Sequence, residues 1–297
     1  MMRLLAILAI LAVAACGTPP AVTAQQGPVD QLAAADRVRA DIEAIERRTG
    51  GRLGLVLLDD ERRTLIAHRS GERFAMCSTF KLALASRLLD GVEESRWRLE
   101  TSMPVNRAGL LPNSPVTARH IESGRITMEE AAAAIVTVSD NTAANLLLER
   151  IGGPAAFTAW LRANDDEETR LDRWELELNE NRPGDPRDTT TPRAAAAMTA
   201  RIFGPDIHLP ESRERLLRWT AESRTGARRI RAGLPAGWEA GDKTGTCGNA
   251  WNDIAWFRAP DGRFHVLAVY LDRPSVSGPE AEAAIADVAR LAVTLVR

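Results

Sequence analysis

The chain has 297 residues, 45% of them hydrophobic and 26% charged, with a formal net charge of -2. That length carries a sizeable core, in one large domain or two interleaved ones. The near-neutral balance holds no basic stripe, which excludes a nucleic-acid-binding protein.

Met1-Met2-Arg3 is a short basic region, and Leu4 to Ala15 is an apolar run too short to span a bilayer. Together they read as a secretory signal, so the protein is expected to be exported to the periplasm. Two exits compete. Val13-Ala14-Ala15-Cys16 looks like a lipobox, with Cys16 lipidated and the chain tethered to a membrane. Val22-Thr23-Ala24 suits ordinary cleavage, with Cys16 discarded. Residues 1–24 are thus signal and tether, and the Pro/Ala/Gln-rich stretch continues the tether to Pro28. No other apolar run approaches the ~18 residues of a membrane span. Setting Cys16 aside leaves Cys77 and Cys247. In an exported protein two cysteines suggest one disulfide. It would close a loop of about 170 residues, worth roughly 4–5 kcal/mol in the chain-entropy model.

Leu32, Val38, Ile42 and Ile45 recur at helical spacing between Asp30 and Arg48, and Gly50-Gly51 stops that helix. Residues 53–69 read as two strands around a polar turn at 59–62. "STFKLALASRLLDG" reads as a helix with Ser78 in its first turn and Gly91 at its end. Residues 115–165 are mostly helical, broken at Ser139-Asp140-Asn141. From Ala163 to Pro192 periodicity fades and charge rises; an irregular segment of that length is usually functional. Helices return at 192–203 and 211–221. Lys243-Thr244-Gly245 opens a strand, a hairpin turns at Pro260-Asp261-Gly262, and 278–297 is a closing amphipathic helix. Strands at both ends must pair across a helical insertion. This predicts a discontinuous α/β domain, 28–76 with 222–297, enclosing an all-α domain, 77–221.

Ser78-x-x-Lys81 alone is a weak signal, because serine is also a good helix cap. On a helix the two side chains share a face, so Lys81 could take the Ser78 proton. Two further motifs follow, Ser139-Asp140-Asn141 and Lys243-Thr244-Gly245. Of 38 basic residues only Lys81 and Lys243 are lysine, and both lie in these motifs. Arginine cannot be deprotonated in a protein, whereas lysine can. The four histidines sit in no motif, so a Ser-His-Asp triad and a zinc site both lack candidates. "GWEAGDKTG" imitates a phosphate loop, but Asp242 interrupts it. No metal and no cofactor is expected.

The ordered trio at 78, 139 and 243 is the signature of class A β-lactamases and penicillin-binding proteins. "RWELELN" (173–179) and "RDTTTP" (187–192) resemble the Ω-loop of class A β-lactamases, here 173–188. The likeness runs from about residue 30 to the end, and the chain is identified as a member of that family. The resemblance implies an antiparallel sheet flanked by terminal helices with an inserted helical domain. It implies a monomer hydrolysing penicillins, cephalosporins and, by one feature, carbapenems. Ser78 would be acylated. The backbone N–H groups of Ser78 and Thr246 would form the oxyanion hole. Lys81 and Glu175 both stand as candidates for the acylation base. Ser139 would pass a proton to the leaving nitrogen, and Asn141 would hold the substrate amide. Glu175 with Asn179 would activate the deacylating water. Lys243, Thr244 and Thr246 would bind the substrate carboxylate, and Arg173 with Asp188 would clamp the Ω-loop.

The pairing of Cys77 with Cys247 resembles the carbapenemase subgroup, in which Arg229 would assist Lys243. Three positions depart from the family. Leu176 stands where many members have proline, Asn113 where an aromatic walls the entrance, and Trp251 where many carry an arginine. Two rivals remain: a transpeptidase that acylates and stalls, and a non-enzymatic penicillin sensor. Glu175 argues against both.

Overall fold

The computed structural model of the protein describes residues 28–296. The signal, lipobox and tether readings, Cys16 included, lie outside the described residues. The chain opens with helix α1 (Pro28–Thr49), whose Val38, Ile42 and Ile45 are buried at helical spacing. Gly50 ends it at a φ of 67°, a left-handed conformation that glycine adopts without strain. Strands β1 (Arg52–Leu58) and β2 (Thr64–His68) form an antiparallel hairpin. The two-residue β3 (Phe74–Ala75) and a 3-10 turn at Cys77–Thr79 lead into α2 (Phe80–Glu93).

Helix α2 runs through Gly91, which corrects the expectation that this glycine ends it. A Cβ at Gly91 would overlap the Trp97 ring. The glycine therefore serves close packing rather than termination.

Short strands β4 (Ser102–Pro104) and β5 (Arg125–Thr127) pair with each other. Helices α3 (Met128–Thr137), α4 (Asn141–Ile151) and α5 (Gly153–Ala163) follow. From 164 to 188 the backbone forms only a 3-10 turn, Glu177–Asn179, as the loss of periodicity predicts. Then come β6 (Thr189–Thr190), α6 (Pro192–Phe203), α7 (Pro210–Ala221) and the short α8 (Ile230–Gly233). Strands β7 (Glu239–Cys247), β8 (Ala250–Arg258) and β9 (Phe264–Asp272) precede the last helix, α9 (Gly278–Ala292). Lys243 thus sits mid-strand. The strand starts four residues earlier than read, because its polar opening at Glu239 carries no apolar signal.

Five strands make one antiparallel sheet in the order β2-β1-β9-β8-β7. The pairing of β1 with β9, Arg52 opposite Asp272 through Leu58 opposite Val266, joins the two ends of the chain. Side chains alternate across the sheet. Leu53, Leu55 and Leu57 of β1, with Leu267, Val269 and Leu271 of β9, pack under α1 and α9 against Ile42, Ile285 and Val288. Val56, Leu58, Val266, Ala268 and Tyr270 face the other way, onto α6. Each fully buried Leu or Val contributes about 1.5–3 kcal/mol. A separate cluster around Leu84, Leu88, Ile135, Leu147 and Phe157 fills the helical half. Strand β7 is a sheet edge, and its open side faces the turn that carries Ser78. Among the described residues no helix is long and apolar enough to cross a membrane.

Candidate active site

The Ser78 turn is fixed from three sides. Cys77 has a φ of 47° and is disulfide-bonded to Cys247, with Cα atoms 5.6 Å apart. Asn252 on β8 donates from Nδ2 to the carbonyl of Ala75 at 2.8 Å and to that of Met76 at 3.2 Å. Thr79 Oγ1 donates to the Met76 carbonyl at 2.9 Å. Gly245 lets β7 close on this turn, since a Cβ there would stand 2.6 Å from the Met76 oxygen and 3.0 Å from Thr79 Cγ2.

One helical turn on, Lys81 is wholly buried. Its Nζ donates to Asn141 Oδ1 at 2.6 Å and to the Ser139 carbonyl at 3.0 Å, and ion-pairs with Glu175 Oε1 at 2.8 Å. Two of its protons thus have hydrogen-bond acceptors, and the Glu175 carboxylate balances its charge. Burial lowers the Lys81 pKa, and the Glu175 carboxylate opposes that shift.

The turn at 139–141 is built by Asp140. Its carboxylate caps α4 by accepting from Ala143 N, and also accepts from Val116 N, Thr117 N and Thr117 Oγ1. Ser139, at a φ of 60°, accepts at Oγ from Lys243 Nζ at 3.1 Å. Asn141 also donates to the Pro112 carbonyl, and Asn113 donates to the Ser139 carbonyl.

Glu175 is held on three sides. Asn179 donates to its Oε2 at 2.6 Å. Asn145 of α4 brackets its backbone, accepting from Glu175 N at 3.0 Å and donating to Glu175 O at 2.9 Å. The Glu175–Leu176 peptide is cis. At the loop ends Arg173 Nε meets Asp188 Oδ2 at 2.5 Å, and Asp188 Oδ1 accepts from the backbone N–H groups of Asp172 and Arg173.

On β7, Lys243 is also fully buried and donates to Ser139 Oγ and, at 2.7 Å, to the Thr244 carbonyl. Burial, reinforced by the nearby Lys81 charge, brings its pKa down to about 7, while Asp242 and Asp253 pull upward. Thr244 shares a hydrogen bond with Thr225 at 2.6 Å. Arg229 bonds to Thr246 Oγ1 (2.6 Å), the Asn252 carbonyl (2.7 Å) and the Gly245 carbonyl (3.1 Å), and pairs with Glu282 at 3.3 Å. It therefore touches the Thr246 end of the strand, and acts on Lys243 through space.

Lys81, Ser139, Asn141, Glu175, Asn179 and Lys243 are thus linked by direct contacts into one cluster that joins a hydroxyl, a buried carboxylate and two buried amines, while Ser78 lies in the turn that opens the Lys81 helix and Thr244 and Thr246 lie beside Lys243 on β7. Such a cluster suits acyl transfer followed by hydrolysis, with an anionic group drawn to Lys243. Sequence reasoning missed Asn145 and Thr225. Asn145 lies four residues after Asn141 on α4, the helical spacing that signals a shared face. Thr225 carries no comparable signal.

A family model described as the β-lactamase enzyme family matches residues 37–296. Beta-lactamase L2 of Stenotrophomonas maltophilia is 42% identical over 276 residues, spanning 92% of this chain and 90% of that protein. The carbapenem-hydrolyzing β-lactamase KPC of Klebsiella oxytoca is 42% identical over 255 residues, 84% of this chain and 85% of its own length. Among solved structures, an ancestral (GNCA) class A β-lactamase is similar with a TM-score of 0.84 and 48% identity, covering 86% of this chain and 99% of that one. A β-lactamase from Xanthomonas campestris pv. campestris gives a TM-score of 0.86 at 41% identity, covering 89% and 99%.

Proposed function

The chain belongs to the class A β-lactamase family, hydrolases of β-lactam antibiotics, and on that premise we propose that it works through a Ser78 acyl-enzyme cleared by Glu175. Ser78 Oγ attacks the lactam carbonyl, and the Lys81–Glu175 pair takes its proton. The carbonyl oxygen turns toward the backbone N–H groups of Ser78 and Thr246. The ring C–N bond breaks, Ser139 passes its proton to the nitrogen, and the proton held by the Lys81–Glu175 pair replaces it on Ser139 Oγ, which leaves Glu175 ionised. Glu175, with Asn179, then draws a proton from water, hydroxide adds to the acyl carbon, and Ser78 leaves protonated. Asn141 holds the substrate amide. Lys243, Thr244 and Thr246 receive the substrate carboxylate.

The observation that carries this reading is the Glu175 carboxylate, fixed between Lys81 at 2.8 Å and Asn179 at 2.6 Å. A penicillin-binding protein that acylates and stalls has no need of such a base. Penicillins and cephalosporins are the proposed substrates. Carbapenems join them on the strength of the Cys77–Cys247 bridge, the Arg229 contact to Thr246 and the likeness to a carbapenem-hydrolyzing relative.

Export to the periplasm, with or without a lipid on Cys16, is part of the same reading. It is supported by the basic and apolar start of the chain and by a disulfide that needs an oxidising compartment. A monomer is proposed because one chain supplies every site residue. The division into 28–76 with 222–297 and 77–221 is supported by the cluster under α1 and α9, drawn wholly from the first unit, and by the helical cluster, drawn mainly from the second, while α6 packs across onto the sheet.

The test is hydrolysis of a chromogenic cephalosporin, then of imipenem, by protein from residue 25 onward. Turnover of both is expected. Turnover of the cephalosporin alone removes carbapenems, and a stable adduct on Ser78 without turnover overturns the deacylation step.

A further inference from the structure

Two residues past Asn179, the Asn181 side chain leaves the loop and reaches the sheet. Its Nδ2 donates to Asp272 Oδ1 at 2.6 Å and to Asn249 Oδ1 at 3.3 Å. Asp272 is a buried anchor at the end of β9, opposite Arg52 of β1 and Ala250 of β8. Its other oxygen accepts from Arg52 Nη2 at 2.9 Å and Arg273 Nη2 at 2.8 Å. Burial alone would raise this carboxyl; the bonds from Asn181, Arg52 and Arg273 hold it below its ordinary range, as an ionised acceptor. Asn249 lies in the β7–β8 turn two residues past Cys247, and its carbonyl accepts from Arg273 N at 2.7 Å.

The loop bearing Asn179 and the strand bearing Thr246 and Cys247 are thus joined by a contact two residues beyond each wall. The other loop fastenings sit elsewhere: Arg173–Asp188 closes its base, and Asn145 brackets Glu175. We propose that Asn181 is a latch, a positioning residue that fixes the spacing between the Asn179 loop and β7 and so limits the bulk of the β-lactam side chain admitted between them. The substrate class rests on the hydrolase reading above; the latch itself does not.

Asn181→Ala removes both bonds and leaves the catalytic cluster intact. Amide hydrogen exchange across 176–188, measured without substrate, is expected to rise by about fivefold or more. KM for a cephalosporin with a branched oxime side chain is expected to fall about threefold or more, while kcat/KM for benzylpenicillin stays within about twofold of wild type. Asn249→Ala, which removes only the longer bond, should move the same readouts the same way by less. Unchanged exchange in Asn181→Ala, or equal shifts for both substrates, would overturn the latch. Should the wild type hydrolyse neither substrate, the acyl-enzyme reading fails and the exchange comparison alone decides for or against the latch.

Discussion

Lys81 Nζ and Glu175 Oε1 stand 2.8 Å apart with neither side chain exposed to solvent. A buried pair of this kind is costly to break from one side, because the surviving charge loses its partner. The chain spends that cost on a carboxylate aimed from an irregular loop at the helix that carries Lys81.

Glu175→Gln keeps the shape and removes the base. Turnover is expected to fall about 100- to 10,000-fold, the range of general-base assistance. Intact mass should show the acyl group retained on Ser78, as it should for Glu175→Ala. Release of product at the wild-type rate would remove Glu175 from its role.

Lys243 gives a pH signature. Its pKa is brought down to about 7 from an ordinary 10.5, so the ammonium proposed to receive the substrate carboxylate is present below about pH 7 and lost above it. KM for a penicillin should therefore rise between pH 6 and 8. Stability moves the opposite way. Between about 7 and 10.5 the unfolded chain binds a proton that the folded one does not, so this group's contribution to stability rises with pH. Lys243→Arg keeps the charge at every pH, and a KM profile as steep as wild type in that variant would exclude Lys243 as its source.

The Cys77–Cys247 bridge spans a sequence separation of 170 residues. Cys77→Ala is expected to lower Tm by at least about 5 °C, a conservative share of the loop-closure contribution. Equal melting of the wild type under reducing and oxidising conditions would show that the bridge contributes nothing.

Arg173 and Asp188 close the loop at 2.5 Å. Arg173→Ala leaves Asp188 its two backbone donors, so the expected loss is modest, about 1–3 kcal/mol. Acylation should persist while deacylation slows. Burst kinetics separate the two, and a burst that vanishes with the steady-state rate would contradict a loop-only effect.

The motifs were legible because the chemistry demands particular residues at short, fixed spacings: Ser78 with Lys81, Ser139 through Asn141, Lys243 through Gly245. The paired ends of the sheet were legible from apolar runs at both termini. What stayed hidden are contacts made across long separations by ordinary polar residues. Asn252 reaches back 176 residues to Met76, and Asn181 reaches 91 residues forward to Asp272. Neither has a local pattern, because asparagine is at home in any loop or turn. Gly91 misled for a related reason: a glycine needed for close packing looks, in sequence, like one that ends a helix.

Both lysines of the chain are wholly buried, and no other residue carries a side-chain amine. With histidine neutral at pH 7, the side-chain positive charge on the protein's surface is therefore guanidinium. Amine-directed reagents such as cyanate, succinimidyl esters or formaldehyde have no exterior lysine to attack on the folded molecule. Any side-chain amine modification they do achieve reports entry to the buried cluster around Lys81 and Lys243.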